Sequence, residues 1–139
     1  MDELIKRAVH ERIWAIVGAS NDRAKFGNRI YRDLRAAGYR VYPVNPNVTA
    51  VEGDRAYARL QDLPETPAVV DVVVPSRVGH QILDDATEVG ARYFWLQPGA
   101  ESRDLVDAAQ ATGINVIHNR CAMVEKIRWD STAEPTPST

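Results

Sequence analysis

Short apolar runs recur along the chain at Ile13–Val17, Arg40–Val44, Val69–Val74, Ala91–Leu96 and Ile114–Ile117, and between them apolar residues fall at helical spacing. The first run is apolar almost throughout, which suits a central strand covered on both faces better than an alternating surface strand. After it, Ile30, Tyr31, Leu34 and Ala37 predict a helix that stops at Gly38, a residue with access to positive φ. Val78, Ile82, Leu83, Ala86 and Val89 predict the buried face of another helix, capped by Ser76 and ended by Gly90. Leu105, Val106, Ala108 and Ala109 repeat the pattern over Glu101–Thr112, closed by Gly113. Leu4, Ile5, Ala8 and Val9 predict a short N-terminal helix packed on the sheet edge, and Asn119–Trp129 a last helix with Met123, Val124 and Ile127 inward.

Two stretches interrupt this regularity. Pro43-Val44-Asn45-Pro46-Asn47 reads as a stiff turn, and Val51–Ala58 is poorly patterned, with a helical turn expected over Ala56–Leu60. Asp130–Thr139 has little to bury, so the expected organisation is one domain over residues 1–129 and a disordered tail over 130–139. Strands alternating with helices predict an α/β fold. It is a Rossmann-like, doubly wound, parallel five-stranded sheet with helices on both faces and strand order 3-2-1-4-5. In such sheets a ligand crevice lies beyond the carboxyl ends of the strands where the winding reverses, here expected between strands one and four.

Composition narrows the function without deciding it. A chain of 139 residues with 45% hydrophobic residues fits one ordinary domain. A formal charge of −2 argues against a general nucleic-acid binder. No stretch approaches the roughly 20 apolar residues that span a bilayer. With Asp2 and Glu3 after Met1 and no apolar run near the start, no signal peptide is expected. The lone Cys121 forms no intrachain disulfide, which fits a cytoplasmic protein. His10, His80 and His118 show no metal-ligand spacing, so no metal is expected.

The candidate chemistry starts at the end of the first strand, in Gly18-Ala19-Ser20 and Lys25-Phe26-Gly27-Asn28. Gly18 permits a tight turn and close ligand approach, Ser20 and the backbone amides donate hydrogen bonds, and the following helix N-terminus carries about half a positive charge. Arg23, Lys25, Arg29 and Arg32 against Asp22 make this segment net positive within a net-negative chain. The pattern is that of a phosphate cradle. It is not the usual dinucleotide fingerprint, because Ser20 stands in place of a middle glycine and the second strand ends in Val44-Asn45-Pro46, without the acid that takes the ribose of NAD.

With Val73-Val74-Pro75-Ser76, Trp95-Leu96-Gln97-Pro98-Gly99 and Asn119-Arg120-Cys121-Ala122-Met123 added, the succession from Arg12 to Ile127 resembles the stand-alone CoA-binding domain family. That family is related to the N-terminal domain of the succinyl-CoA ligase α subunit. The resemblance implies that CoA or an acyl-CoA lies across the carboxyl edge of the sheet. Gly18, Ala19, Ser20 and the Lys25, Phe26, Gly27, Asn28 segment would then hold phosphate oxygens. Val44, Asn45 and Pro46 would flank the nucleotide, and Val74, Pro75 and Ser76 would line the adenine or pantetheine path. Gln97 and Gly99 stand where the ligase domain has a glutamate–glycine turn near the thiol end. Asn47-Val48 replaces a ligase lysine, a loss that Lys25 or Arg77 would make good. The ligase domain with the phosphorylated histidine is absent, so ligase activity by this chain alone is not expected.

No catalytic residue is assigned. His118 sits at a strand end with nothing placed by the sequence to orient it. Cys121 is read as a buried thiol, with a mixed disulfide to CoA as the alternative. Trp14, Trp95 and Trp129 are read as packing residues. The expected function is CoA binding by a non-catalytic or regulatory protein. The rivals are an NAD(P)-dependent oxidoreductase or redox sensor on the same scaffold, and an adaptor that CoA releases from a partner enzyme. Tyr93, Phe94 and Trp95, taken to lie near a sheet edge, leave room for a homo-oligomer or a partner enzyme.

Overall fold

The computed structural model describes residues 1–133, with side chains described to residue 129. Its strands are β1 Ile13–Val17, β2 Arg40–Val44, β3 Ala50–Val51, β4 Asp54–Arg55, β5 Val69–Val72, β6 Tyr93–Leu96 and β7 Asn115–His118. The helices are α1 Asp2–Val9, α2 Phe26–Ala36, α3 Ser76–Val89, α4 Arg103–Thr112 and α5 Ala122–Ala133, and a single 3₁₀ turn spans Leu60–Asp62. Helix α5 thus runs past Trp129 into the stretch expected as a tail; the rest of that stretch, residues 134–139, lies outside the described residues. Among the described residues, no helix is long and apolar enough to cross a membrane.

The five long strands form one parallel sheet in the order β2-β1-β5-β6-β7. This is the doubly wound α/β fold expected, but the order of the five is 2-1-3-4-5 rather than 3-2-1-4-5. Pro43 supplies the physical reason: it has no N–H to give a neighbour, so its strand belongs at an edge. β2 is that edge, with Arg40 exposed, whereas all four residues of β5 are buried. The outer side of β2 is covered at its end by Tyr57, whose N–H bonds the Pro43 carbonyl at 2.9 Å and whose carbonyl accepts the Asn45 N–H at 2.9 Å. The winding therefore reverses between β1 and β5.

Helices α1, α2 and α5 cover one face and α3, α4 and the 3₁₀ turn the other. Helix α1 buries Ile5, Ala8 and Val9 in the core of that first face, packed on α5 and on the edge strand β7. Trp14 and Trp95 pack there with ring centroids 5.6 Å apart, both fully buried and removed from any ligand base. Tyr93, Phe94 and Trp95 lie on an interior strand and are buried, so they form no exposed apolar edge.

Two helix faces differ from the pattern reading. In α5, Ala122 and Glu125 face inward and Val124 and Ile127 face out, at 59% and 61% exposure. The Trp129 indole N–H satisfies the buried Glu125 at 3.1 Å, which lets a carboxylate take an inward position. In α3, Val78 is exposed, and Pro75 rather than Ser76 is the N-cap, without a side-chain cap bond. Helix α4 does have one, since Ser102 Oγ accepts the Leu105 N–H at 3.1 Å. Ser102→Ala is expected to cost about 1 kcal/mol, read as a lower urea midpoint with an unchanged m-value.

Candidate functional site

The strand ends converge on a cleft built around the Gly18–Gly27 loop. Gly18 has φ +103°, and its N–H bonds the Val44 carbonyl at 3.0 Å, so the loop leaves β1 only after a last bond to β2. Gly27 packs directly onto Gly18, where a Cβ on Gly27 would sit 2.1 Å from the Gly18 carbonyl oxygen. Between them the loop is tied by its own polar side chains. The Asp22 N–H bonds Ser20 Oγ at 3.0 Å, and the Ala24 N–H bonds Asp22 Oδ1 at 3.0 Å. Asn28, fully buried, donates to the Ser20 carbonyl at 2.7 Å. Lys25 is the N-cap of α2 and offers no side-chain cap, which leaves the first-turn N–H groups without a side-chain acceptor. Ser20 Oγ accepts within the loop, so its hydroxyl proton is free to donate outward.

On one side of the loop the cleft opens into a mostly apolar volume of about 480 Å³ bounded by Gly18, Asn45, Pro46, Leu60, Val74 and Ile82. Asn45 shapes this half rather than pointing a free amide into it: its Nδ2 donates to the Ala19 carbonyl at 2.9 Å and its Oδ1 accepts the Asn47 N–H at 2.8 Å. Asp85 also lines it. Burial raises the pKa of this carboxyl, but hydrogen bonds from Gln61, Arg59 and Gln81 outweigh that and hold it below the ordinary value. The Arg59–Asp85 contact joins the loop after β4 to α3.

On the other side lies a second volume, also about 480 Å³, bounded by Phe26, Val73, Pro98, Gly99, Ala100 and Cys121. Val74 and Pro75 line both halves and form the ridge between them. Cys121 is partly exposed here, not buried. It is held by two bonds to its neighbours, from Trp95 Nε1 to the Arg120 carbonyl at 2.9 Å and from the Ala122 N–H to Gln97 Oε1 at 3.2 Å.

Of the residues singled out from the sequence, Gly18, Val44, Asn45, Pro46, Phe26, Val74, Pro75 and Gly99 come together at these two volumes. Ala19, Ser20, Lys25, Gly27 and Asn28 form or underpin the loop between, and Ser76 and Arg77 open α3 beside the ridge. Gln97 lies apart. It is fully buried, and its Nε2 donates to Asp71 Oδ1 at 2.6 Å. Burial pushes the Asp71 carboxyl up to about 8, against which the Gln97 bond acts only in part, and its Oδ2 is buried without a partner. Gln97 thus supports the wall of the cleft from beneath. His118 ends β7 opposite Leu96, partly exposed, and its imidazole has no hydrogen bond or ion pair among the described residues.

The reading of Val51–Ala58 as unpatterned missed a clamp. β3 and β4 form a hairpin whose turn residues, Glu52 and Gly53, have φ 50° and 82°, as a type I′ turn requires. Asn21 grips the hairpin backbone, donating to the Ala50 carbonyl at 2.8 Å and accepting the Glu52 N–H at 2.9 Å. The Glu52 carboxylate takes Arg23 Nη2 at 2.8 Å and Asn28 Nδ2 at 2.8 Å. Those bonds, Arg23 first and Asn28 second, hold its carboxyl at about 2. Gly53, with its access to positive φ, is the one local signal of the turn.

The model of the CoA binding domain matches residues 12–127. The chain belongs to that family. The α subunit of the ADP-forming acetate–CoA ligase II of Pyrococcus furiosus is 29% identical over 77% of this chain, yet the match takes in 26% of that subunit. This chain therefore spans about a quarter of the length of that ligase subunit. The uncharacterized protein YneT of Bacillus subtilis is 26% identical over 88% of both chains. Among solved structures, a hypothetical protein from Pyrococcus horikoshii superposes with a TM-score of 0.88 at 32% identity, covering 93% of this chain and 92% of the other. The family match takes in all five strands of the parallel sheet.

Proposed function

We propose that this protein binds CoA or an acyl-CoA along the carboxyl edge of its sheet and acts as a binding or regulatory protein rather than a catalyst. One observation carries the reading: two volumes of similar size meet at the Val74–Pro75 ridge beside a glycine-tight, phosphate-compatible loop. A nucleotide with a long thiol-bearing arm has that shape. In this reading the nucleotide lies toward Asn45 and Pro46, the phosphates against Ser20, Lys25 and the start of α2, and the thiol toward Gly99 and Cys121. Membership of the CoA-binding domain family supports it.

The rival NAD reading lacks its ribose-binding acid at the end of β2, where both polar ends of the Asn45 side chain are already engaged. The non-catalytic part rests on His118, an imidazole with no orienting carboxylate among the described residues. A thermal-shift series with CoA, dephospho-CoA, NADH and ATP tests the proposal. The melting temperature is expected to rise with CoA concentration and not with NADH. A rise with NADH and none with millimolar CoA overturns it.

A further inference from the structure

Resting on that reading of the cleft, a second feature of the loop concerns how tightly it holds a phosphate. Arg23 puts an exposed guanidinium on the loop, and both it and the buried Asn28 amide are bonded to Glu52. The carboxylate presents to them what a phosphate would: two anionic oxygens, one on Arg23 Nη2 at 2.8 Å and one shared by Arg23 Nε at 3.2 Å and Asn28 Nδ2 at 2.8 Å. Asn28 Nδ2 also lies 2.7 Å from the Ser20 carbonyl, so the carboxylate is held against the loop itself.

We propose that Glu52 is an internal stand-in for a ligand phosphate, holding Arg23 and Asn28 in the free protein and yielding Arg23 when a phosphate-bearing ligand enters. The carboxylate is not needed to dock the hairpin. The Asn21 bonds to the Ala50 carbonyl and Glu52 N–H are made with the backbone. On the far side Asp54 is bound by Tyr31 and Arg35 of α2. The Arg23 side chain is 66% exposed and within reach of a ligand, whereas that of Glu52 is 12% exposed, so opening the pair leaves the carboxylate on Asn28 and has to be offset by the greater charge a phosphate brings to the same guanidinium. The cost of the arrangement is that an acidic group neutralises one of the basic side chains of a loop that must attract an anion.

The sign of one substitution separates this role from simple bracing of the loop. Glu52→Gln keeps the size and the backbone bonds but removes the charge. It is expected to bind CoA and inorganic pyrophosphate roughly five- to tenfold more tightly, with a steeper loss of affinity as salt is raised. Adding Arg23→Ala to that variant is expected to erase the gain. Unchanged or weaker binding by Glu52→Gln, in a protein whose parent binds CoA, overturns the latch and leaves the CoA reading intact. If the variant gains pyrophosphate affinity while neither protein binds CoA, the CoA reading falls and the latch stands; if neither ligand binds either protein, both fall. In the unaltered protein, the Arg23 Nε–H resonance is expected to move as pyrophosphate is added, and an unmoved resonance at saturation overturns the latch even if the variant does not fold.

Discussion

Gly27→Ala is expected to abolish useful CoA binding, weakening it by about 100-fold or more, since displacements near 1 Å in a positioned site cost that much. The new Cβ would stand 2.1 Å from the Gly18 carbonyl oxygen and 3.0 Å from its carbon. Both obstructing atoms are backbone, so no rotamer change relieves the overlap. Either α2 withdraws from the end of β1 or the loop opens, and both separate the first-turn amides from Ser20. The same strain should lower stability by about 2 to 4 kcal/mol. Gly79→Ala is the control. Its Cβ would meet Leu105 Cδ2 at 2.4 Å, but that is the far end of a flexible side chain in the helix pair behind the site. Calorimetric titration with CoA and urea denaturation of both variants check this, and parental affinity in Gly27→Ala contradicts it.

The second large effect is on stability as a function of pH. Asp71 is fully buried in the middle of β5, and burial pushes its carboxyl from the ordinary 3.8 up to about 8. Between those values the folded protein keeps a proton that the unfolded chain has released. Stability due to this group is therefore fully present at acid pH and is lost as pH rises, by up to about 1.4 kcal/mol per pH unit, levelling off above 8. Glu52, Asp54, Glu65 and Asp85 act in the opposite sense, since their carboxyls are held below the ordinary values and their contributions are lost as the solution turns strongly acid. A stability maximum on the acid side of neutrality follows. Asp71→Asn keeps an oxygen for the Gln97 amide and has no proton to lose, so urea midpoints from pH 5 to 8 should decline in the parent and run nearly flat in the variant. Equal slopes contradict the assignment.

These expectations depend on features that were unequally visible along the chain. β1 and β6 are legible because interior parallel strands buried on both faces are apolar throughout, and the loop after β1 is legible because its glycines and basic residues are local in sequence. Strand order was not carried by periodicity, which is blind to the side on which a strand pairs; Pro43, a residue that cannot serve an interior strand, held that information. Gln97 looked like a ligand contact because it follows a strand end, but the polar Asp71 inside Val69-Val70-Asp71-Val72 needed a buried partner, and Gln97 is that partner. The position of Glu52 depends on a hairpin whose strands are two residues each, too short to alternate visibly, and it reaches Arg23 only through the fold. Apolar residues alone do not mark the inward face of α5, because that face carries Glu125 satisfied by Trp129 while Val124 and Ile127 face out.

Isothermal titration of CoA into the protein purified without ligand tests most directly whether the cleft is a CoA site. One CoA per chain, saturating at micromolar concentration and weakening as salt is raised, is the predicted result. No saturable heat up to millimolar CoA, from protein whose folding is verified in the same buffer, would contradict it.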